Sequence, residues 1–320
     1  MDEFLVIKKY FSELTKNNIG TFDLSDDIFF DYKKRVGISI DSYVEGTHFL
    51  NFKNPTLVIK KVLRGALSDL ICKGIIPKYY FMSFSGNKKH LTQDNLVKIK
   101  LALKQEQKKY NIFLAGGDTS YSNILSITVS VLGYSEKKPI LRSGAKVNDD
   151  IYITNTIGDA FLGLKFLKGE IKLSEKNSNY FVRRFYLPNL PINFSKRIHL
   201  FANSSIDISD GFYQDLQHIL SRSNLSSRIF KKEIPISSYL NSYLIRRKKN
   251  KLNFISNGDD YQILFTASKK MRHLIKKISK STSTKASIVG IVKSKSISNN
   301  TQSTEEKFKF PKKLGYIHNF

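Results

Sequence analysis

The chain is expected to fold as a two-lobed α/β (α+β) protein, and three observations lead there. Its 320 residues exceed what one ordinary core fills and suit two units of about 150 each. An apolar share of 41% beside 25% charged residues is the balance of a chain that packs a core. Runs rich in β-branched and aromatic residues alternate with helical stretches on both sides of a turn-rich joint, Leu141 to Lys146. We place the lobes at 1–145 and 146–320.

In the first lobe, Phe4, Ile7, Phe11 and Leu14 recur at helical spacing, which predicts an amphipathic helix over 3–16. Two β-rich runs, 28–32 and 36–40, flank a charged turn and read as paired strands, with Asp41 at the end of the second. A helix over 56–72, a strand over 79–84, a helix over 92–110 and strands over 112–115 and 124–134 complete the unit. The second lobe starts with a strand over 150–154. A helix over 160–167, further helical segments to 202 and a helix over 212–221 follow. Strands over 228–230, 261–266 and 288–292 flank a Lys-rich helix, and the polar stretch 299–307 reads as a mobile tail. No period of 20 to 50 residues repeats, so a solenoid is excluded.

The 53 basic and 27 acidic residues leave a net charge of +26. Nucleic acid is the first partner such a charge suggests. The excess is mostly Lys, spread along the whole chain, so solvated faces account for it better. Only Arg246 to Lys251 forms a compact basic run, and a nucleic-acid partner is not expected. A basic surface still attracts anionic substrates such as ATP. No stretch reaches the roughly 18 apolar residues of a membrane span, and the first residues lack a signal-peptide pattern, so a cytoplasmic location without membrane contact is expected. The single cysteine, Cys72, sits in an apolar helical run and reads as a buried structural thiol.

The acids carry the chemistry. In a chain with twice as many bases, they gather beside Ser, Gly and Thr: Asp26 with Asp27, Asp41 with Glu45, Asp69, Asp118, Asp207 with Asp210, and Asp259 with Asp260. Carboxylates brought together repel one another unless cations lie between them. Hard, oxygen-bound divalent ions suit such a set, and no paired His or Cys spacing points to zinc. Magnesium on carboxylates leaves positions for phosphate oxygens, so phosphoryl transfer is the reaction class to test. The sequence holds no Gly-x-x-x-x-Gly-Lys-Ser/Thr loop, no Gly-x-Gly-x-x-Gly and no protein-kinase catalytic loop.

A resemblance sharpens this reading. Asp26-Asp27, Ser39-Ile40-Asp41 with Glu45-Gly46-Thr47-His48-Phe49, Leu67-Ser68-Asp69-Leu70, Gly116-Gly117-Asp118-Thr119, Arg142-Ser143-Gly144-Ala145, Asp207-Ile208-Ser209-Asp210-Gly211 and Gly258-Asp259-Asp260-Tyr261 resemble, in order, the motif series of the thiamine-monophosphate kinase family. The resemblance implies the PurM-like fold of the aminoimidazole ribonucleotide synthetase superfamily, a homodimer built through the first lobes, and ATP-dependent phosphorylation of thiamine phosphate to thiamine diphosphate. It implies metal and ATP loops in the first lobe and phosphate and substrate loops in the second. Several Mg²⁺ ions would be held by Asp27, Ser39, Asp41, Asp69, Asp118, Asp207 and Asp210, with Asp41, Asp118 and Asp210 catalytic. Gly117, Asp118, Arg142 and Ser209 would meet ATP, and His48, Asp259 and Tyr316 the thiamine phosphate.

Each piece also has a plainer reading. An Asp before a helix is most often an N-cap, Gly116-Gly117 a turn, Ser143-Gly144 a hinge, His48 a satisfied buried histidine and Tyr316 a packing residue. The chain also departs from the family pattern. Ser25 replaces the Gly before the paired acids, Ile40 a Thr, Ala66 an Asn, and Asp259 a Glu. Ile40 removes a side-chain oxygen, and the shorter Asp259 shifts any substrate contact by about 1.5 Å. A sister enzyme with another acceptor, a binding protein without turnover and a nucleic-acid module are the alternatives.

Overall fold

The computed structural model describes residues 3–295 and 315–316. The chain starts with a single α turn, α1 (Glu3–Val6), which passes into a π turn over Ile7–Phe11 and then a 3₁₀ turn over Ser12–Thr15. The expected amphipathic helix over 3–16 is therefore broken. Its apolar residues find no core: Leu5, Phe11 and Leu14 are exposed, and Phe4 rests on the ring of His218 at 4.7 Å.

The first sheet consists of β1 (Phe29–Asp31), β2 (Val36–Val44), β3 (Ile76–Gly86), β4 (Phe113–Tyr121) and β5 (Ser126–Tyr134), in the order β1-β2-β5-β3-β4. All pairs are antiparallel except β3 with β4. That parallel pair needs a crossover, which α3 (Gln93–Tyr110) provides. Between β2 and β3 runs α2 (Pro55–Cys72); the Asn54 side chain accepts from the Leu57 N–H at 3.2 Å and Pro55 occupies the first turn, both helix-start signals. The second sheet holds β6 (Asp150–Thr154), β7 (Ala202–Asp207), β8 (Leu225–Ile229), β9 (Ile263–Ala267) and β10 (Ala286–Ser294), in the order β7-β9-β6-β10-β8 and antiparallel throughout. Around it lie α4 (Asp159–Leu167), α5 (Glu175–Tyr186), α6 (Ile192–Ser195), α7 (Phe212–Arg222), α8 (Ser238–Arg247), α9 (Leu252–Ile255) and α10 (Arg272–Ser281). The expected tail over 299–307 lies outside the described residues.

One helix ties the two sheets together. Buried almost all round, α2 packs on β2, β3 and β5 and at the same time on β7, α5 and α6. A single apolar core runs from Ile28 and Val62 of the first lobe to Phe194 and Phe265 of the second. Polar bonds cross the same seam: Lys73 donates to the Ser205 carbonyl at 2.8 Å, and Ser205 donates to the Cys72 carbonyl at 2.7 Å. Cys72 is buried there.

Candidate active site

The strand alternation of β2 decides which side chains reach this seam. Ser39 and Tyr43 are buried while Ile40 is 66% exposed, so Ser39, Asp41 and Tyr43 point inward and Ile40 outward. Asp41 thus lies mid-strand, not at a strand end as the sequence suggested. The Tyr43 hydroxyl donates to Asp41 at 2.9 Å, and Ser39 donates to Asp69 of α2 at 2.5 Å. One residue earlier on α2, Ser68 donates to Asp207 at the end of β7. Carboxylate oxygens of Asp27, Asp69 and Asp207 lie within 4.8 Å of one another.

Burial and mutual repulsion raise the cost of charge in this cluster. Burial, then the charge of Asp27, pushes Asp41 up to about 6. The same causes take Asp207 to about 6, and burial with Asp207 takes Asp210 to about 7. Asp69 is raised well above the carboxylate range by burial and by Asp41, Asp207 and Asp27. Asp27 is the exception. Burial would raise it, but Arg142 and Lys73 outweigh that and hold it low. One of its oxygens, Oδ2, is buried without a hydrogen bond among the described residues. An orphaned oxygen on a carboxylate clustered with two others fits a hard divalent cation. Asp27, Asp69 and Asp207, with Asp41 adjacent, are the residues placed to hold one.

Three cations border the cluster. Arg142 pairs with Asp27 through its guanidinium, and its backbone N–H donates to Asp26 at 2.7 Å. Lys73, fully buried, lies 2.7 Å from Asp26 and 3.9 Å from Asp27. Lys61 of α2, also buried, pairs with Asp259 and lies over the Phe185 ring at 4.0 Å. Lys61 and Lys73 were missed in the sequence. The available signal was a lysine inside a run otherwise buried on every side, a place lysine rarely takes without a partner.

The remaining sequence candidates divide. His48 accepts the Val44 N–H on Nδ1 at 3.0 Å and meets Tyr43 edge-on. The Ser209 carbonyl accepts the Asp259 N–H at 2.9 Å, and the Tyr316 N–H donates to the Asp210 carbonyl at 3.2 Å. Asp259 also accepts from the Tyr261 hydroxyl at 3.2 Å, so these second-lobe loops are tied to the Ser209–Asp210 turn that follows Asp207. Gly117 and Asp118 do not join it. They lie inside β4, not in a turn, because the strand continues to Tyr121. Register places Asp41 in one row with Val129, Met82 and Gly117, and Asp118 in the next row with Ser42, Thr128 and Ser83. Val129 and Met82 are buried, so Asp118 projects from the outer face of the sheet, opposite to Asp41. As a ligand shared with Asp41 within one chain, Asp118 is corrected.

Comparison with known proteins now decides the family. Residues 25–135 match the family described as AIR synthase related protein, N-terminal domain. The thiamine-monophosphate kinase of Buchnera aphidicola subsp. Acyrthosiphon pisum is 34% identical over 99% of this chain and 98% of its own. This chain belongs to the thiamine-monophosphate kinase family. The thiamine-monophosphate kinase of Aquifex aeolicus is 30% identical over 73% of this chain and 76% of that one. Its crystal structure superposes with a TM-score of 0.79 at 27% identity, covering 91% and 93% of the two chains. A structure of AaThiL complexed with AMPPCP and TMP reaches a TM-score of 0.81 at 27% identity, covering 92% and 91%. The two-lobed PurM-like fold expected of a thiamine-monophosphate kinase is therefore the fold observed.

Proposed function

We propose that this chain transfers the γ-phosphoryl group of ATP to the phosphate of thiamine phosphate, releasing ADP and thiamine diphosphate. One observation supports the reading most: Asp27 before β1, Asp69 on α2 and Asp207 on β7 converge between the lobes beside Arg142. A relative's complex with AMPPCP and TMP agrees with two phosphate-bearing ligands meeting at such a site. An oxygen of the acceptor phosphate attacks the γ-phosphorus as its bond to the ADP oxygen breaks, so no covalent enzyme intermediate is needed. Two anions must approach. Magnesium held by the cluster would neutralise phosphate charge and polarise the transferring group. Arg142, already charged and fixed by Asp26 and Asp27, adds a positive group at the rim without reorganising. Lys61 and Tyr261 fix Asp259 where it can pair with the cationic ring system of the acceptor, and His48 is held by its bond from Val44.

The outer face of the first sheet completes the proposal. Tyr79, Phe81 and Phe113 are each about half exposed there, on the same face as Ile40, and apolar surface of this kind marks an interface. We assign it to a homodimer, in which Gly117 and Asp118 serve the site of the second copy. A cytoplasmic location fits a water-borne substrate pair; no described helix is long and apolar enough to cross a membrane. The test is product analysis. Pure protein with ATP, Mg²⁺ and thiamine phosphate should yield thiamine diphosphate and ADP, and excess chelator should stop it. ADP release without thiamine diphosphate would reassign the acceptor, and binding without ADP release would leave a protein that recognises but does not turn over.

A further inference from the structure

A second concavity, of about 980 Å³, opens in the second lobe and is lined by none of the cluster carboxylates. It lies between the segment 232–236, α8, α10 and the start of β10. Its charge is one-sided: Lys232, Lys249, Lys251, Arg272, Lys276 and Lys285 line it against a single acid, Glu233. Arg272 is held by two bonds to Asp150, at 2.6 and 2.8 Å, and Lys251 donates to the Ile234 carbonyl at 3.1 Å. Lys232, Lys249, Lys276 and Lys285 form no salt bridge among the described residues. Four ammonium groups around one hollow repel one another and favour an anion.

The floor has a different character. Ile234, Leu244 and Ile275 are buried beneath the lysines, and so is Tyr152, whose ring stacks on Phe265 at 4.9 Å. The Tyr152 hydroxyl stands beside Asp150 and Arg272. A hydroxyl next to a guanidinium at the wall of a cavity adds a polar group that a ligand's phosphate can meet.

We propose that this cavity binds a small phosphate-bearing organic anion of nucleotide size, its flat apolar body on the Ile234, Leu244 and Tyr152 floor and its phosphate among Lys276, Lys285 and Arg272. A volume of this order suits such a ligand. A nucleic-acid strand fits less well, because Arg246, Arg247 and Lys248 of the basic run do not line the hollow and a polymer backbone does not need an apolar floor. The inference is independent of the reaction proposed above.

The experiment uses the full chain and anilinonaphthalene sulfonate, a flat aromatic anion that fluoresces when bound. One saturable site per chain is expected, displaced by adenosine monophosphate. The double variant Lys276→Glu/Lys285→Glu should weaken it about tenfold while leaving turnover at the carboxylate cluster unchanged, and Asp41→Asn should leave probe binding unchanged. Tyr152→Phe, which keeps the stacked ring, should weaken displacement by adenosine monophosphate several-fold. Probe affinity untouched by the double charge reversal overturns the proposal. Displacement by a single-stranded oligonucleotide but not by the mononucleotide overturns it as well, and assigns the patch to nucleic acid.

Discussion

Asp41 and Lys73 show how single side chains set the behaviour of the interlobe cluster. Asp41 is pushed up to about 6 by burial and by Asp27, so its negative charge is unwelcome in the metal-free fold and needed once a cation is present. Asp41→Asn should therefore lower kcat by about 10²- to 10³-fold, the scale of losing one preorganised electrostatic group. The same variant should melt no lower than the parent in chelator, where it relieves repulsion. A wild-type rate for it would remove Asp41 from the machinery. Lys73 works in the opposite sense. Removing it in Lys73→Met leaves Asp26 buried beside Asp27 without its ammonium partner, which should cost about 3–5 kcal/mol, read from urea unfolding in chelator. An unchanged midpoint would mean that the pair contributes nothing net. In a chain with 53 basic residues only the apolar run around them marks Lys61 and Lys73, and their partners were not legible, because a lysine's partner is fixed by the fold and not by its neighbours in sequence.

At the scale of elements, α2 and the first sheet show which features were legible. The helix over 56–72 was readable because its start signals and apolar run coincide, and the observed α2 differs by one residue. The acids at 27, 41, 69 and 207 were readable as a group because such a concentration is unusual in a basic chain. The face each acid would occupy was not readable. Asp41 and Asp118 look alike in sequence, beside small or hydroxyl residues, yet strand register sends them to opposite sides of one sheet. The sequence reading ended that strand at residue 115, and without β4 reaching Asp118 no parity could be assigned. Gly65 offers a test of the α2 packing. A methyl group there would collide with the Tyr43 hydroxyl and meet the Tyr261 hydroxyl at 3.1 Å. Both tyrosines hold site carboxylates, Asp41 and Asp259. Gly65→Ala should cost about 1–3 kcal/mol by overpacking and reduce turnover by moving Tyr43 off Asp41. An unperturbed melting curve with full activity would show that the tyrosines have slack.

For the whole molecule, the raised carboxylates predict how stability responds to pH and metal. Between the ordinary 3.8 and the values near 6 for Asp41 and Asp207 and near 7 for Asp210, the folded chain holds more protons than the unfolded one. Stability from this cluster is thus present at low pH and lost as pH rises through 6 to 7. In chelator, the melting temperature should be lower at about pH 8 than at about pH 5.5, and Mg²⁺ should restore more of it at the higher pH. A magnesium effect equal at both values would show that the ion binds elsewhere. The second whole-molecule consequence concerns Asp118. Its outward face lies in the same sheet as the exposed Ile40, Tyr79, Phe81 and Phe113, and a symmetric dimer through that face would carry each Asp118 toward the other copy. Asp41→Asn and Asp118→Asn would then damage different sites of a mixed dimer. One site would carry both lesions and the other none. Co-refolding the two inactive variants should regain about a quarter of wild-type turnover, since random pairing makes half the dimers mixed and leaves one intact site in each. If Asp118 instead serves its own chain, every site in the mixture carries a lesion and no activity returns. Phe81→Glu, which places a charge in the apolar row, should yield monomers by analytical ultracentrifugation and abolish the regained activity.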